Sequence, residues 1–371
     1  MTGYYIHNQK KDGSGVSQKI SAQMEVFKEH FNMHEIILEK KKETKIQRKL
    51  RQKLFKKRPK LLYDDAYLKI REPDFVYIRK QILDADFLNF LKKIKESYPL
   101  CKIIMEVPTY PYWNEYPKNK LGEEIIAQEK QVIPQLKKYV DTIVDVGNEK
   151  ELFEISTINI NNGVDPKQVK VSGKREKTDT INLIAVARLR EAHGYERIIE
   201  SIKEYYKDNG NRNIILHVVG EGSELGYYKS LAENDFCKNR VIFYGYKTGD
   251  ELEKIYDLAD LGLGFFGQYK TGGHYVSAIK CAEYLMRGIP VVSAVDEEYL
   301  LELLGKYYLS FPDDASAVDM NIIIDFYDKV YAGNIEDIHE SVRQIAKEKV
   351  AIDVVMKPVI KVILEDYEEN N

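Results

Sequence analysis

Cysteine is scarce: the three in 371 residues, Cys101, Cys237 and Cys281, are too few and too far apart for a disulfide framework or a zinc site. Each reads as a small core residue. Long apolar runs are missing as well. None approaches the roughly 20 residues that a membrane-spanning helix needs, and Met1 to Gly15 is too polar for a secretory signal, so a cytoplasmic protein is expected. There is no short internal repeat and no low-complexity tract. Net charge is only −3, yet one segment has almost no acids. Lys40 to Lys60 holds twelve Lys or Arg against Glu43, which leaves about −14 on the rest of the chain. Ile46, Leu50 and Leu54 recur every four residues there, so the spacing predicts a basic helix with a thin apolar stripe. Its uses stay open: contact with an anionic membrane surface or anionic acceptor, a solvated arm, or nucleic acid, although no aromatic stacking platform accompanies the charge.

What is present is an ordinary globular composition, 44% hydrophobic and 31% charged, over a length that suits two domains. Short apolar runs alternate with helix-period segments, the rhythm of a parallel α/β sheet. In the first half, strands are expected at Tyr4 to His7, Glu35 to Leu38, Phe75 to Ile78, Lys102 to Val107 and Thr142 to Val146. Helices are expected at Val16 to His30, Phe87 to Glu96 and Glu123 to Lys138, besides the basic one. The pattern restarts with strands at Ile181 to Ala187, Ile214 to Val219, Val241 to Tyr244, Leu261 to Phe265 and Ile289 to Ser293. The helices between them are Tyr195 to Tyr206, Ser223 to Ala232, Asp250 to Leu258 and Ala278 to Arg287. Pro166 to Thr180 is polar and without period, and reads as a linker. The expected domains are therefore residues 1–165 and 181–340, with a closing helix over 341–371 crossing back to the first. Two doubly wound domains would set a cleft at the carboxyl ends of their strands, the expected active site.

Ser277 to Val292 (SAIKCAEYLMRGIPVV) carries the most information, because it sets a carboxylate in a helix that stops at Gly288 and runs into an apolar strand. Ala278, Ile279, Ala282, Leu285 and Met286 share one stripe; Lys280, Glu283 and Arg287 share the other face. Gly272 and Gly273 precede it, so the helix N-terminus would suit a phosphate. The competing reading is a surface Lys280/Glu283 ion pair.

Several short motifs together resemble family 4 glycosyltransferases of the GT-B fold, of the bacterial polysaccharide type. Ala187-Arg188-Leu189 followed by His193-Gly194 is similar to the family's "GRL…KG". Glu283 to Val292 is similar to its "EAMAxGxPVV", in a "KxxEYLxxGxPVV" variant. Asn162-Gly163-Val164-Asp165 resembles its "NGVD", and Gly13-Ser14-Gly15-Val16 its Gly loop. Val218-Val219-Gly220-Glu221-Gly222 and Phe243-Tyr244-Gly245-Tyr246 resemble its "VGxG" and "FxG" turns. The six lie in the family's order over nearly the whole chain.

The resemblance implies a two-domain GT-B enzyme that moves a sugar, with retention, from a nucleoside diphosphate sugar to a glycan or lipid-linked acceptor in exopolysaccharide or capsule synthesis. UDP is the expected nucleotide. No cofactor and no metal are implied, the nucleotide sugar being a substrate. Arg188 and the residue at His193 would grip the diphosphate, with His193 standing where relatives have lysine, so that grip would be weaker or pH-dependent. Glu283 would accept hydrogen bonds from ribose. Tyr275 replaces the family's other glutamate, leaving Tyr275, Ser277 and Lys280 as stand-ins around the donor, with Gly15 and Tyr246 also on the donor side. No histidine follows the fourth strand, where Glu106, Thr109 and Tyr110 stand instead. Glu106 is the expected catalytic-region group, since a glutamate in an apolar strand end must be hydrogen-bonded or functional; Thr109 and Tyr110 are the expected acceptor contacts. A non-catalytic accessory subunit is the alternative, and an epimerase of the same fold a third reading.

Two further acidic groups have simpler readings. Asp84-Ala85-Asp86 sits at a helix start, where Asp84 is expected to cap. Glu123, Glu124 and Glu129 are expected on the solvent side of their helix.

Overall fold

Apolar runs rich in Val, Ile and Tyr become two parallel sheets in the computed structural model, which describes residues 1–11, 14–41, 44, 60–113, 116–173, 178–271, 277–295, 298–303 and 305–368. The predicted basic helix falls almost wholly outside the described residues, as do Gly13, Gly272, Gly273 and Tyr275. The chain divides into two units, Met1–Asn161 with Val355–Asn371, and Asn162–Val354.

The first unit runs β1 (Thr2–His7), α1 (Gly15–His30), β2 (Asn32–Ile37), α2 (Tyr63–Tyr67), β3 (Phe75–Arg79), α3 (Ala85–Ser97), β4 (Lys102–Val107), α4 (Lys120–Leu136) and β5 (Thr142–Asp145). A hairpin, β6 (Glu151–Leu152) and β7 (Ile155–Asn159), completes a sheet of order β2-β1-β3-β4-β5-β7-β6. The β1, β3, β4 and β5 pairings are parallel, and only β6 runs against its neighbour. Alternation sends Tyr5 and Tyr77 to one face, where their rings meet Phe27 of α1. Tyr4, Ile6, Val76 and Ile78 go to the other, in one cluster with Phe87, Phe90, Leu91 and Ile94 of α3. Asp84 caps α3 as expected, accepting from the Phe87 amide at 2.9 Å.

The second unit runs β8 (Thr180–Val186), α5 (Glu196–Lys207), β9 (Asn213–Val219), α6 (Leu225–Ala232), β10 (Val241–Gly245), α7 (Gly249–Tyr256), β11 (Leu261–Leu263), α8 (Ile279–Met286), β12 (Val291–Ser293) and β13 (Tyr308–Ser310). Helices α9 (Met320–Val330) and α10 (Ile335–Lys349) follow. Its sheet is all parallel, in the order β10-β9-β8-β11-β12-β13. That is the doubly wound dinucleotide-fold order, with its reversal between β8 and β11. The last helix, α11 (Ile352–Glu368), begins in the second unit and continues in the first. Pro166 to Gly173, read from sequence as linker, is tied to the second unit: the Ser172 amide donates to the Arg287 carbonyl at 2.9 Å, and Arg343 donates to the Pro166 and Val169 carbonyls. All three cysteines are free and buried.

Candidate functional site

In the second unit the strand order reverses between β8 and β11, and the carboxyl ends of those strands are where such a sheet takes a ligand. The turn after β8 is held tightly. The Leu189 amide donates to the Glu221 carbonyl at 2.9 Å, and Gly220, at φ +124°, passes so close that a Cβ there would lie 1.9 Å from the Ala187 oxygen. Arg188, between those anchors, is exposed and has no partner among the described residues. A guanidinium so placed keeps its donors for a ligand.

Six residues on, Gly194 takes φ +60° and a Cβ on it would stand 2.3 Å from the Phe266 backbone, so the β8 turn and the segment after β11 touch. His193 is buried there, its ring 5.1 Å from that of Phe265 and its Nδ1 accepting from the Arg190 amide at 3.0 Å. Burial first, then the Lys280 charge, pushes its pKa down to about 2. Burial and Lys280 thus favour the neutral imidazole at this position. Lys280, on α8, donates to the Tyr195 hydroxyl at 3.0 Å and lies 4.4 Å from the Phe265 ring centre. Its ammonium thus turns toward the β8 and β11 ends instead of forming the surface pair with Glu283.

Glu283 lies on the same helix, which Gly288 ends at φ +84° as its sequence predicts. Its carboxylate has one donor among the described residues, the Tyr256 hydroxyl at 3.5 Å, and burial raises its pKa despite nearby Arg287. Arg287 donates to the Glu253 carboxylate at 2.7 Å and to the Glu283 backbone carbonyl at 3.3 Å, not to the Glu283 carboxylate. Glu283 is thus a carboxylate with unused acceptor capacity. Ser277 accepts from the Asn162 amide at 2.7 Å, and its carbonyl accepts from the Asn162 side chain, so the Asn162–Asp165 segment is tied to the start of α8. Its N-cap residue, Ala278, makes no side-chain cap bond. Tyr246, just past β10, is 63% exposed.

In the first unit Gly15 opens α1 behind Ser14, whose hydroxyl accepts from the Ser17 amide at 3.4 Å. Glu106 has no exposed surface. Four side chains donate to it: Tyr77 at 2.7 Å, Gln23 at 2.9 Å, Lys19 at 3.3 Å, and Arg79. Burial alone would raise its pKa, but Lys19, Arg79 and these hydrogen bonds hold it down to about 2. The glutamate that sequence marked as either hydrogen-bonded or functional is thus fully hydrogen-bonded, in a network with two cations. Thr109 is exposed, and Tyr110 is half-buried with its ring near those of Tyr112, Trp113 and Phe153.

Two carboxylates depart from what the pattern suggested. Glu129, expected toward solvent, is 0% exposed; its Oε1 accepts from the Leu83 amide at 3.0 Å, Tyr116 at 2.7 Å and Lys80 at 3.2 Å. A backbone amide from another segment drew it inward. Asp145, at the end of β5, went unnoticed in the sequence. Burial raises its pKa to about 6, and its Oδ1 has no hydrogen-bond partner. Among the described residues no three His, Cys, Asp or Glu gather where a metal could sit.

Residues 166–317 match the family model of glycosyl transferases group 1. The match lies within the second unit. No curated protein sequence matches the chain. Solved structures match over its whole length at low identity, and they establish the fold as GT-B. Sucrose-phosphate synthase from Thermosynechococcus elongatus aligns at TM-score 0.65 and 13% identity over 100% of this chain and 98% of its own. A glycosyltransferase from Rickettsia africae aligns at 0.62 and 12%, over 99% and 98%. Anabaena HepE, solved with UDP-glucose, aligns at 0.62 and 13% over 100% of both chains. No helix of the described residues is long and apolar enough to cross a membrane.

Proposed function

We infer that this chain is a retaining glycosyltransferase that takes a sugar from a UDP-sugar and passes it to a glycan or lipid-linked acceptor in exopolysaccharide or capsule synthesis. The observation that carries the reading is Arg188: an exposed guanidinium, without a partner among the described residues, at the strand-order reversal of a sheet whose segment matches glycosyl transferases group 1. Anabaena HepE, with the same fold, was solved with UDP-glucose.

In this reading the nucleotide lies against the second unit. Glu283 accepts from the ribose hydroxyls, Tyr246 meets the base, and Arg188 takes the diphosphate. Lys280 adds positive potential where the leaving diphosphate gathers charge, a stabilisation that grows as the glycosidic bond breaks. His193, neutral and buried, shapes the pocket wall and contributes no charge. Ser277 keeps the start of α8 in place through Asn162, and Tyr275 completes the donor side. Protein cations serve where other enzymes use a metal. In the first unit Gly15 is the proposed donor-side residue, Thr109 and Tyr110 meet the acceptor, and Glu106 acts by fixing Lys19 of α1 and Arg79 at the end of β3.

Thermal-shift measurements with UDP, GDP, dTDP and their sugars test this. A ligand at 100 times its Kd adds about 2.7 kcal/mol to the native state, so UDP should raise the melting temperature above the other two. No shift with any of them would overturn the reading, and UDP binding without transfer or hydrolysis would mark an accessory subunit.

Lys40 to Lys60 would hold the enzyme peripherally at an anionic inner membrane surface, each basic group contributing up to about 1 kcal/mol. Sedimentation with anionic vesicles at low salt, released at high salt, is the expected result. Failure to sediment would leave the segment a solvated arm.

A further inference from the structure

Buried polar atoms without partners are rare in folded proteins, and each asks for a ligand or a water. In the described first unit they include Asp145 Oδ1 and Trp113 Nε1. One accepts only, the other donates only.

Tyr110 links them. Burial first, then the charges of Glu149 and Asp145, raises the pKa of its hydroxyl, and its ring lies 5.9 Å from that of Trp113 and 6.0 Å from that of Phe153. Tyr110, Trp113 and Phe153 are all half-buried. The two segments leave the same sheet end, because β4 and β5 are parallel neighbours and the Val146 amide donates to the Val107 carbonyl at 3.1 Å. Phe153 is delivered by the β6–β7 turn, where Phe153 and Glu154 both take positive φ, +57° and +61°. Glycine or asparagine usually fills such a turn, so the ring is placed there against backbone preference. Beside Asp145 the chain is glycine: a Cβ on Gly147 would come within 3.0 Å of Oδ1 and 2.6 Å of Oδ2. Any side chain at that position would crowd the carboxylate.

We propose that this place seats an uncharged sugar ring of the acceptor, with Tyr110, Trp113 and Phe153 against its C–H face, a hydroxyl donating to Asp145 Oδ1 and another accepting from Trp113 Nε1. Sugars suit it because they carry an apolar face and hydroxyls that both donate and accept. Phosphate and uronate do not, because Asp145 and Glu149 would repel them. The inference rests on the glycosyl-transfer reading and narrows its acceptor from any glycan or lipid-linked group to an uncharged saccharide at this point.

Trp113 is the only tryptophan in the chain, so intrinsic fluorescence of the full-length protein reports on the seat directly. The probes are methyl glucosides, galactosides and mannosides of both anomers, with methyl glucuronide as the charged counterpart. At least one uncharged glycoside should change the emission saturably, and the glucuronide should not. Asp145→Asn and Gly147→Ala should each weaken that binding about tenfold or more, the scale of a lost charge-assisted hydrogen bond. UDP affinity by calorimetry should stay unchanged in both. Silence from every uncharged glycoside, equal response to the glucuronide, or unaltered affinity in both variants would overturn the proposal. Failure of the wild type to bind UDP would instead count against the donor reading.

Discussion

Lys19 and Glu106, 87 positions apart in the chain, meet at 3.3 Å with both side chains withdrawn from water. Arg79 shares the same carboxylate oxygen. Two cations, Lys19 buried and Arg79 half-buried, thus depend on one anion, an arrangement that is costly to break from one side only.

Glu106→Gln should therefore cost about 3–5 kcal/mol, because it leaves Lys19 and Arg79 without a counter-charge. Denaturant unfolding measures it, and a loss below about 1 kcal/mol would show that the network is not what holds this end of the sheet. The native carboxyl is held at about 2 against an ordinary 4.5. Its contribution is present above the ordinary value and lost as pH falls toward 2, so the gap between wild type and variant should close in acid.

Arg188→Ala should leave unfolding stability within about 0.5 kcal/mol, as for an exposed residue without partners. UDP affinity should nevertheless fall. Glu283→Ala should weaken UDP by about 1–3 kcal/mol, the range for hydrogen bonds to a charged group. Calorimetry decides both, and UDP affinity equal to wild type in Glu283→Ala removes ribose from that carboxylate.

His193, whose pKa burial and then Lys280 lower, is expected to give UDP binding no proton switch. UDP affinity measured from about pH 6 to 8, the span around an ordinary imidazole, should vary alike in wild type and His193→Asn. A midpoint near the ordinary value that disappears in the variant would contradict this.

Asp145→Asn should stabilise the protein at neutral pH. Folding raises this carboxyl from 3.8 to about 6, so its contribution is present below the ordinary value and lost as pH rises through the folded one. Asparagine has no such loss. Allowing for solvent screening, the variant should gain about 1–2 kcal/mol at pH 8 and less at pH 5. A variant less stable than wild type at pH 8 would make Asp145 a structural group, contrary to its proposed use.

Much of this was legible in the residues themselves. Lys102–Val107 is a strand from end to end as expected, because an apolar run between polar ends has one good use in a parallel sheet. The stop of α8 was equally plain, since Gly288 and Pro290 leave little alternative. Hairpin β6–β7 was not, because its turn is Phe153-Glu154 and carries no glycine or asparagine to mark it. Strand β13 spans three residues, too few for a period to register. The partners of Glu106 and Glu129 escaped for another reason. Lys19 and Leu83 reach them from 87 and 46 positions away, and helix periodicity carries no record of such contacts. Arg188 and Glu283 could be named because their turns are local; Asp145 could not, because its lack of a partner belongs to the fold.

The division of the chain also bears on the order in which its parts can be completed during synthesis. The first unit needs Val355–Asn371, and Met356 of that segment, fully buried, receives the side-chain amide of Gln23, itself a donor to Glu106. The second unit is one continuous stretch, Asn162–Val354. As residues leave the ribosome in sequence, the later unit is therefore the first that can close. The amino-terminal sheet, with its Lys19 and Glu106, waits for the final helix before its last core contacts exist.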